Sequence, residues 1–349
     1  MKTIANKIIF SVIHLAHLNF FKKAIRELNK RGFEIEIVYL DRGKIEKVLQ
    51  KEFPAYTLTK IGVYSPNTFG KIFMVMKRIK GLLQYLKKNK ASLTLGVGDF
   101  TLAFCSRLLG IKSILFYDDY EFKLNFSLSY FFANKLIIPK VIPKRSKKIV
   151  AYGGFKELAY LHPDFYKPKK KIIEDLRLEQ NNYVFVREVA GISMNYTNLK
   201  QEGLVSSIKY LQEKGIKVML SLEDKSRREF YAPYCTILEE PLDDVYSIMY
   251  YALFCLSSGD SMARESALLG VPCIYTGGRE MYANNPFLSW GGIYKIEEEK
   301  DIFKKIDELL NEKEKKKWLL KIKGIIDTQL VNTANIIVDS VLLEINVNK

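Results

Sequence analysis

The chain has 349 residues, 48% hydrophobic and 27% charged, which excludes a disordered, collagenous or small disulfide-stapled protein and suits two compact units of roughly 100–200 residues. Lys and Arg number 55 against 39 Asp and Glu, and this net +16 favours anionic partners (nucleic acid, an acidic membrane face, phosphate-bearing small molecules) unless it is only a lysine-rich compositional bias. No uninterrupted apolar run reaches the ~18–20 residues of a membrane span, and the apolar N-terminal stretch lacks a small-residue cleavage site.

In chain order, short apolar runs alternate with longer amphipathic stretches, the pattern of βαβ units around a mostly parallel sheet. Residues 7–13 (KIIFSVI) read as a buried strand, and 19–31 as an amphipathic helix closed by Gly32 in the C′ position. Strands are predicted at 34–40, 56–61, 93–97, 113–117 and 135–138, with a short helix after the first of these and a long one within 69–90. A second series opens at 183–189 (YVFVREV). It continues with a helix at 199–214, strands at 217–222 and 236–238, a helix at 243–251, a strand at 253–257, a helix at 262–269 and a strand at 272–276. From about Lys300 the chain reads as helical to its end. Between the two series, HPDFYKPKKK (162–171) has the two prolines and the lysine run of a linker. The expected fold class is α/β: two Rossmann-like, doubly wound parallel-sheet domains, 1–165 and 166–349, facing each other across a cleft. Ligands in such sheets sit beyond the carboxyl ends of the strands. Cys105, Cys235, Cys255 and Cys273 lie in apolar surroundings without a CxxC pair, as reduced core cysteines of a cytosolic protein would, and with three histidines nothing suggests structural zinc.

The segment 257–272, SSGDSMARESALLGVP, carries the most chemistry. A strand runs into a glycine turn and a helix starts near Ser261 or Met262; small residues let backbone amides approach a ligand, and the helix N-terminus favours a phosphate. Glu265, one turn inside, is placed to bond the vicinal hydroxyls of a ribose. Ordinary N-capping by Asp260 or Ser261, with Glu265 as a helix stabiliser, accounts for the same residues. FYDDYE (116–121) ends a strand with three carboxylates, of which Asp119 and then Glu121 are candidates for a general base. Asp119-x-Glu121 also has the spacing of a divalent-ion site, and a solvated acidic turn is the plain alternative. GVGDFT (96–101) lacks the third glycine of a dinucleotide fingerprint and reads as a substrate loop.

The run Gly259, Met262, Arg264, Glu265, Ala267, Leu269, Gly270, Pro272 resembles the donor-nucleotide motif of GT-B-type glycosyltransferases of the MurG type and of non-hydrolysing UDP-N-acetylglucosamine 2-epimerases. It is most similar to a family of unknown function found in archaea and bacteria. His17, Phe20, Phe21, Lys22, Ile25, Glu27, Leu28, Arg31 and Gly32 match that family's opening motif. The resemblance spans most of the chain and implies a GT-B-type fold, with the C-terminal helices packing back on the first domain. It implies donor-nucleotide contacts at Arg187, Ser258, Gly259, Asp260, Ser261, Met262, Arg264 and Glu265, with Ser193 and Asn195 near Arg187, and donor-sugar contacts at Gly278, Arg279 and Glu280. No histidine follows Arg187, where the family tends to have one; a plain tight turn equally explains the glycines near 278. On the acceptor side, His14 and His17 follow the first strand as candidates for a general base or phosphate ligand, helix capping being the plain alternative.

The stretch 71–90 puts Ile72, Val75, Met76, Ile79, Leu82, Leu83 and Leu86 on one helical face with seven Lys and Arg elsewhere, as a helix lying on an anionic bilayer or a core helix with a basic rim would. The functional expectation is a glycosyltransferase moving a sugar from a UDP- or CMP-type nucleotide-sugar donor to a cell-surface glycan or lipid-linked acceptor. It would work without metal or resident cofactor, in the cytoplasm or peripherally on the inner membrane face, and would not bind nucleic acid. A nucleotide-sugar 2-epimerase or hydrolase is the alternative on the same fold. A non-catalytic polyanion- or membrane-binding protein is the reading from charge alone, and no RNA-recognition or helix-turn-helix signal supports it.

Overall fold

The structure, a computed structural model, describes residues 7–120, 122–190, 204–239, 242 and 244–346. It divides into two units: residues up to His162 together with those from Val331 onward, and Pro163–Leu330.

The first unit alternates β1 (Lys7–Val12), α1 (Leu15–Lys30), β2 (Glu34–Asp41), α2 (Ile45–Glu52), β3 (Thr57–Val63), α3 (Thr68–Asn89), β4 (Leu93–Val97), α4 (Phe100–Leu108), β5 (Lys112–Phe116), α5 (Lys123–Phe132), β6 (Lys135–Pro139), β7 (Ile149–Tyr152) and α6 (Leu158–Leu161). All seven strands are parallel, in the order β3-β2-β1-β4-β5-β6-β7. Helices cover both faces, which is why β1 and β4 to β6 are near-continuous apolar runs instead of alternating ones. The helix expected from residue 19 begins at Leu15, because His14 caps it; Gly32, at φ 87°, follows the Arg31 cap. The C-terminal helix, Thr333–Asn346, belongs to this unit: Ile337, Val338 and Val341 enter the core shared by β1 and α1, and Glu344 bridges Lys112 and Lys135 at 2.8 and 2.6 Å.

The second unit contains α7 (Lys170–Asp175), β8 (Tyr183–Glu188), α8 (Val205–Glu213), β9 (Lys217–Leu222), α9 (Arg228–Tyr231), β10 (Thr236–Ile237), α10 (Val245–Tyr251), β11 (Cys255–Ser257), α11 (Asp260–Leu268), β12 (Cys273–Tyr275), α12 (Asn285–Trp290), β13 (Ile293–Lys295), α13 (Glu299–Leu309) and α14 (Glu312–Gln329). Its six parallel strands run β10-β9-β8-β11-β12-β13, the same winding as the first six of the other sheet. Strands β7 and β13, short and at sheet edges, were not expected from the sequence. Trp318 of α14 fills the space over Gly292 and donates to the Ala267 carbonyl at 3.0 Å. Lys315, also on α14, turns its buried ammonium onto Asn181 Oδ1 and the Tyr250 and Ala252 carbonyls at 2.7, 2.8 and 2.6 Å; burial pushes its pKa down to about 8. No helix among the described residues is long and apolar enough to cross a membrane.

In each sheet the winding reverses once, between β1 and β4 and between β8 and β11, and the loops leaving those strands diverge to opposite faces. At the first reversal a charge is buried. Asp99 caps α4 and accepts from Ser11 Oγ, Thr101 Oγ1 and Arg78 Nη2 at 2.6, 2.5 and 2.8 Å; Arg78 also donates to the Ile61 carbonyl at 2.6 Å. Burial alone would raise the Asp99 carboxyl, but the Arg78 charge and the donated hydrogen bonds outweigh it and hold the pKa at about 2. Because the folded value lies below the ordinary one, Asp99 adds stability above about pH 4 that is lost as pH falls toward 2. Arg78→Ala should therefore cost about 3–5 kcal/mol in urea unfolding at pH 7, by leaving the carboxylate buried and unpaired, and should flatten the acid loss below pH 4. A change under about 1 kcal/mol would show that the pair braces nothing.

Candidate functional site

The reversal point of the second sheet is built from residues 257–265. Ser257 Oγ donates to the Gly259 carbonyl at 2.8 Å and accepts from the Gly259 amide at 3.0 Å, closing the turn on itself. Ser258 Oγ accepts from the Val189 amide at 3.0 Å, which ties the turn to the loop leaving β8. Helix α11 then starts at Asp260, with Gly259 as its N-cap and no side-chain capping bond. This replaces the expected capping by Asp260 or Ser261: the Asp260 carboxylate faces inward to Arg279 at 3.1 Å and Arg264 at 3.7 Å. The first-turn amides thus keep their capacity for an anion, in the positive field of the helix terminus.

Arg264 has no exposed surface. It donates to Asn284 Oδ1 at 2.7 Å, so it holds the loop after β12 to α11 and does not reach into solvent as a diphosphate ligand would. Glu265 is buried on the next turn and accepts from Tyr246 OH at 3.3 Å, a side-chain contact that fixes its carboxylate; no helix-stabilising role is needed to explain it. Ser261 and Met262 are half-buried at the helix mouth. Arg187, near the end of β8, donates to Ser221 Oγ at 2.8 Å and pairs with Glu223 at 3.3 Å. Ser193 and Asn195 lie outside the described residues.

The loop after β12 presses on the same turn. A Cβ at Gly277 would lie 2.5 Å from the Ser258 carbonyl, so only glycine permits this approach. Gly278 and Glu280 are exposed, and Arg279 and Glu280 line a pocket of about 380 Å³ with Tyr275, Met281, Asn284 and Lys295. The Tyr275 hydroxyl in its wall is buried, and burial raises its pKa.

In the first unit, the loops after β1, β4 and β5 gather the acceptor-side candidates. His14 caps α1: its Nδ1 accepts from the Ala16 amide at 3.2 Å. That bond assigns the proton of the neutral ring to Nε2, so His14 offers a donor there, not a base. Burial and the nearby Arg42 and Lys156 charges hold its pKa below the ordinary imidazole value, against the pull of Asp118. His17 stands 6.0 Å away, ring to ring, with Nδ1 buried and unpartnered; burial pushes its pKa down to about 3. A base held so weak gives no support to His17 as the general base near neutral pH. Asp118, not Asp119, is the carboxylate whose field reaches both imidazoles, and it pairs with Lys156. Asp119 is half-buried beside it and Glu121 lies outside the described residues. The sequence reading missed Asp118 and Lys156 as a pair because they are 38 positions apart and meet only through the sheet. Among the described residues no group of three or more His, Cys, Asp or Glu side chains gathers as a metal site would.

Residues 6–343 match the family described as a protein of unknown function, DUF354. The chain belongs to that family. An uncharacterized protein of Methanocaldococcus jannaschii is 22% identical over 282 residues, which is 78% of this chain and 82% of that one. Among solved structures, the fold is similar to a Methanocaldococcus jannaschii UDP-GlcNAc 2-epimerase in complex with UDP-GlcNAc and UDP, at TM-score 0.68 and 15% identity over 87% of this chain and 92% of that chain. The Neisseria meningitidis UDP-GlcNAc 2-epimerase bound to UDP-GlcNAc also aligns at 0.68 and 15%, over 96% and 99%. Acinetobacter baumannii MurG aligns at 0.60 and 16%, over 96% and 98%. These likenesses place the DUF354 chain in the GT-B architecture.

His17 provides a check on the acceptor-side geometry. Its folded pKa lies below the ordinary 6.5, so its neutral form adds stability above pH 6.5 that erodes as pH falls toward 3. In an NMR titration the His17 ring signals should stay constant from pH 7.5 to about 5. A midpoint near 6.5 would mean the ring is solvated and the packing around it is wrong.

Proposed function

We propose that this chain is a GT-B glycosyltransferase that binds a nucleotide-sugar donor on its second unit. The observation that carries the reading is the mouth of α11: a self-closed Ser257–Gly259 turn, no capping side chain, and Glu265 held one turn inside by Tyr246. Backbone amides and the helix field there suit a diphosphate, and the fixed carboxylate suits the 2′ and 3′ hydroxyls of a ribose. Arg187, Ser258, Ser261 and Met262 complete the donor contacts, while Asp260 and Arg264 hold the turn in shape. The pocket bearing Arg279 and Glu280, with Gly278 at its rim, takes the sugar.

On the first unit, Asp119 acts as the base that activates an acceptor hydroxyl, and the Nε2 proton of His14 orients it. The leaving diphosphate is stabilised by the α11 amides and Arg187, so no step calls for a metal. The acceptor is a glycan or lipid-linked saccharide, met at the inner membrane face through helix 71–90.

A second reading, an epimerase or hydrolase acting on the donor alone, is favoured by the likeness in fold to the two epimerases. Turnover separates the two: an epimerase consumes the donor without an acceptor, a transferase requires one.

The donor site is tested by thermal shift with UDP, CMP, GDP and ADP and their sugars. A nucleotide at ~100 times its dissociation constant should add about 2.7 kcal/mol of apparent stability. One nucleotide class should stabilise the wild-type chain and lose most of that effect in Glu265→Ala. No response to any of the four at low salt would overturn the donor assignment.

A further inference from the structure

The first unit exposes apolar side chains in several places, Leu108, Phe131 and Leu343 among them, but gathers most of them at one edge. Helix α3 buries Leu82 and Leu86 in its second half, but its first half leaves Phe69, Ile72, Phe73 and Met76 exposed at 88, 58, 59 and 63%. Their i, i+3, i+4, i+7 spacing puts them on one face. Helix α5 opens in the same way, with Phe122 and Leu124 exposed at 46 and 75%. A helix returning between parallel strands runs against them, so the N-termini of α3 and α5 both lie at the carboxyl edge of the sheet, where His14, Gly98 and Asp118 sit. The Asn125 side-chain amide in the first turn of α5 donates to the Gly98 carbonyl at 3.0 Å and its backbone carbonyl accepts from Tyr117 OH at 3.1 Å, which ties that turn to the edge.

The charge follows the same two segments. No Asp or Glu occurs between Glu52 and Asp99, nor between Glu121 and Glu157, and each stretch holds eight Lys and Arg. Those sixteen account for the entire net charge of +16; the rest of the chain carries 39 of each sign. Lys60, Arg78, Lys135 and Lys156 are engaged by carboxylates. Lys71, Lys77 and Lys80 beside the α3 ridge have no carboxylate partner among the described residues, and Lys77 lies 4.5 Å from the centroid of the Phe73 ring.

Aliphatic Ile72, Met76 and Leu124 gain nothing from a phosphodiester backbone, whereas a bilayer boundary takes apolar side chains into its acyl layer and lysines at its headgroups. We propose that this edge seats on an anionic bilayer through the first turns of both α3 and α5, presenting the loops after β1, β4 and β5 to lipid headgroups. The proposal rests on the lipid-linked acceptor named above. It extends the contact from one helix to two, and it places the contact at the site's own edge.

The test is co-sedimentation of the full chain with vesicles of phosphatidylcholine alone or with about 30 mol% phosphatidylglycerol. Binding should be at least about tenfold tighter to the anionic vesicles. Ile72→Ser/Phe73→Ser, and separately Leu124→Ser, should each weaken it several-fold without moving the thermal midpoint, and Phe73→Leu should retain it. Equal binding by the serine variants, or by neutral and anionic vesicles, would overturn the proposal. So would a wild-type chain that ignores vesicles but is retained on single-stranded RNA with the serine variants unaffected. Nucleotide stabilisation is measured without vesicles, so the donor assignment can fail while bilayer binding stands, and the reverse.

Discussion

A parallel sheet covered on both faces leaves polar chemistry only its edges. The interior strands of both sheets are mainly apolar, with a few buried polar residues such as Glu36 and Thr94 bonded to neighbouring side chains, and polar groups gather where the strands end. Because both sheets wind outward from a central pair, the two reversal points are the places where neighbouring loops part and leave backbone amides uncovered. The candidate groups of both units gather at these ends: His14, Asp99 and Asp118 in one, and Ser257 to Glu265 in the other.

What holds those edges in shape is buried charge, used twice in similar ways. In the first unit Arg78 reaches from α3 under the β4 loop to Asp99; in the second, Arg264 and Arg279 converge on Asp260 at the start of α11. A buried ion pair contributes little net stability compared with an apolar pair of equal volume, but breaking one side is costly, so such pairs fix a geometry more than they stabilise a fold. That logic explains why the arginine expected at the donor diphosphate is enclosed. Its guanidinium holds Asn284 and so sets the position of the loop after β12. Arg78 has a further consequence: the helix with the exposed apolar ridge is pinned, within one turn of that ridge, to the loop at the reversal point.

The strands and their order of alternation were legible because buried parallel strands are uninterrupted apolar runs; 93–97 and 217–222 fall where the sequence places them. The edge strands β7 and β13 were not, since a short, half-covered strand has no such run. At the site, the glycine–serine turn could be read from spacing because its bonds lie within two residues or across one neighbouring strand, whereas the Tyr246 contact of Glu265 comes from another helix. The Asp118–Lys156 pair and the Asp260–Arg279–Arg264 cluster could not, since each depends on loops brought together only by the finished sheet. The histidines illustrate the same boundary: sequence offers imidazoles near a strand end, but which nitrogen holds the proton and how weak the base is are set by the Ala16 amide and by burial.

These assignments separate the roles of the two units by their electrostatics. The edge at residues 257–265 offers the field of the α11 amides, with Asp260 turned inward to its arginines and Glu265 held by Tyr246, an arrangement suited to binding an anion. The edge of the first unit holds an imidazole whose Nδ1 accepts from the Ala16 amide, a carboxylate paired with Lys156 in Asp118, and a half-buried one in Asp119. Epimerisation at the sugar needs an acid and a base on opposite faces of one ring, both beside the bound donor. Transfer needs only one base, beside the acceptor. The proposed reading, with a donor bound on the second unit and a base at Asp119 on the first, meets the second requirement and leaves the first without its second proton-transferring group.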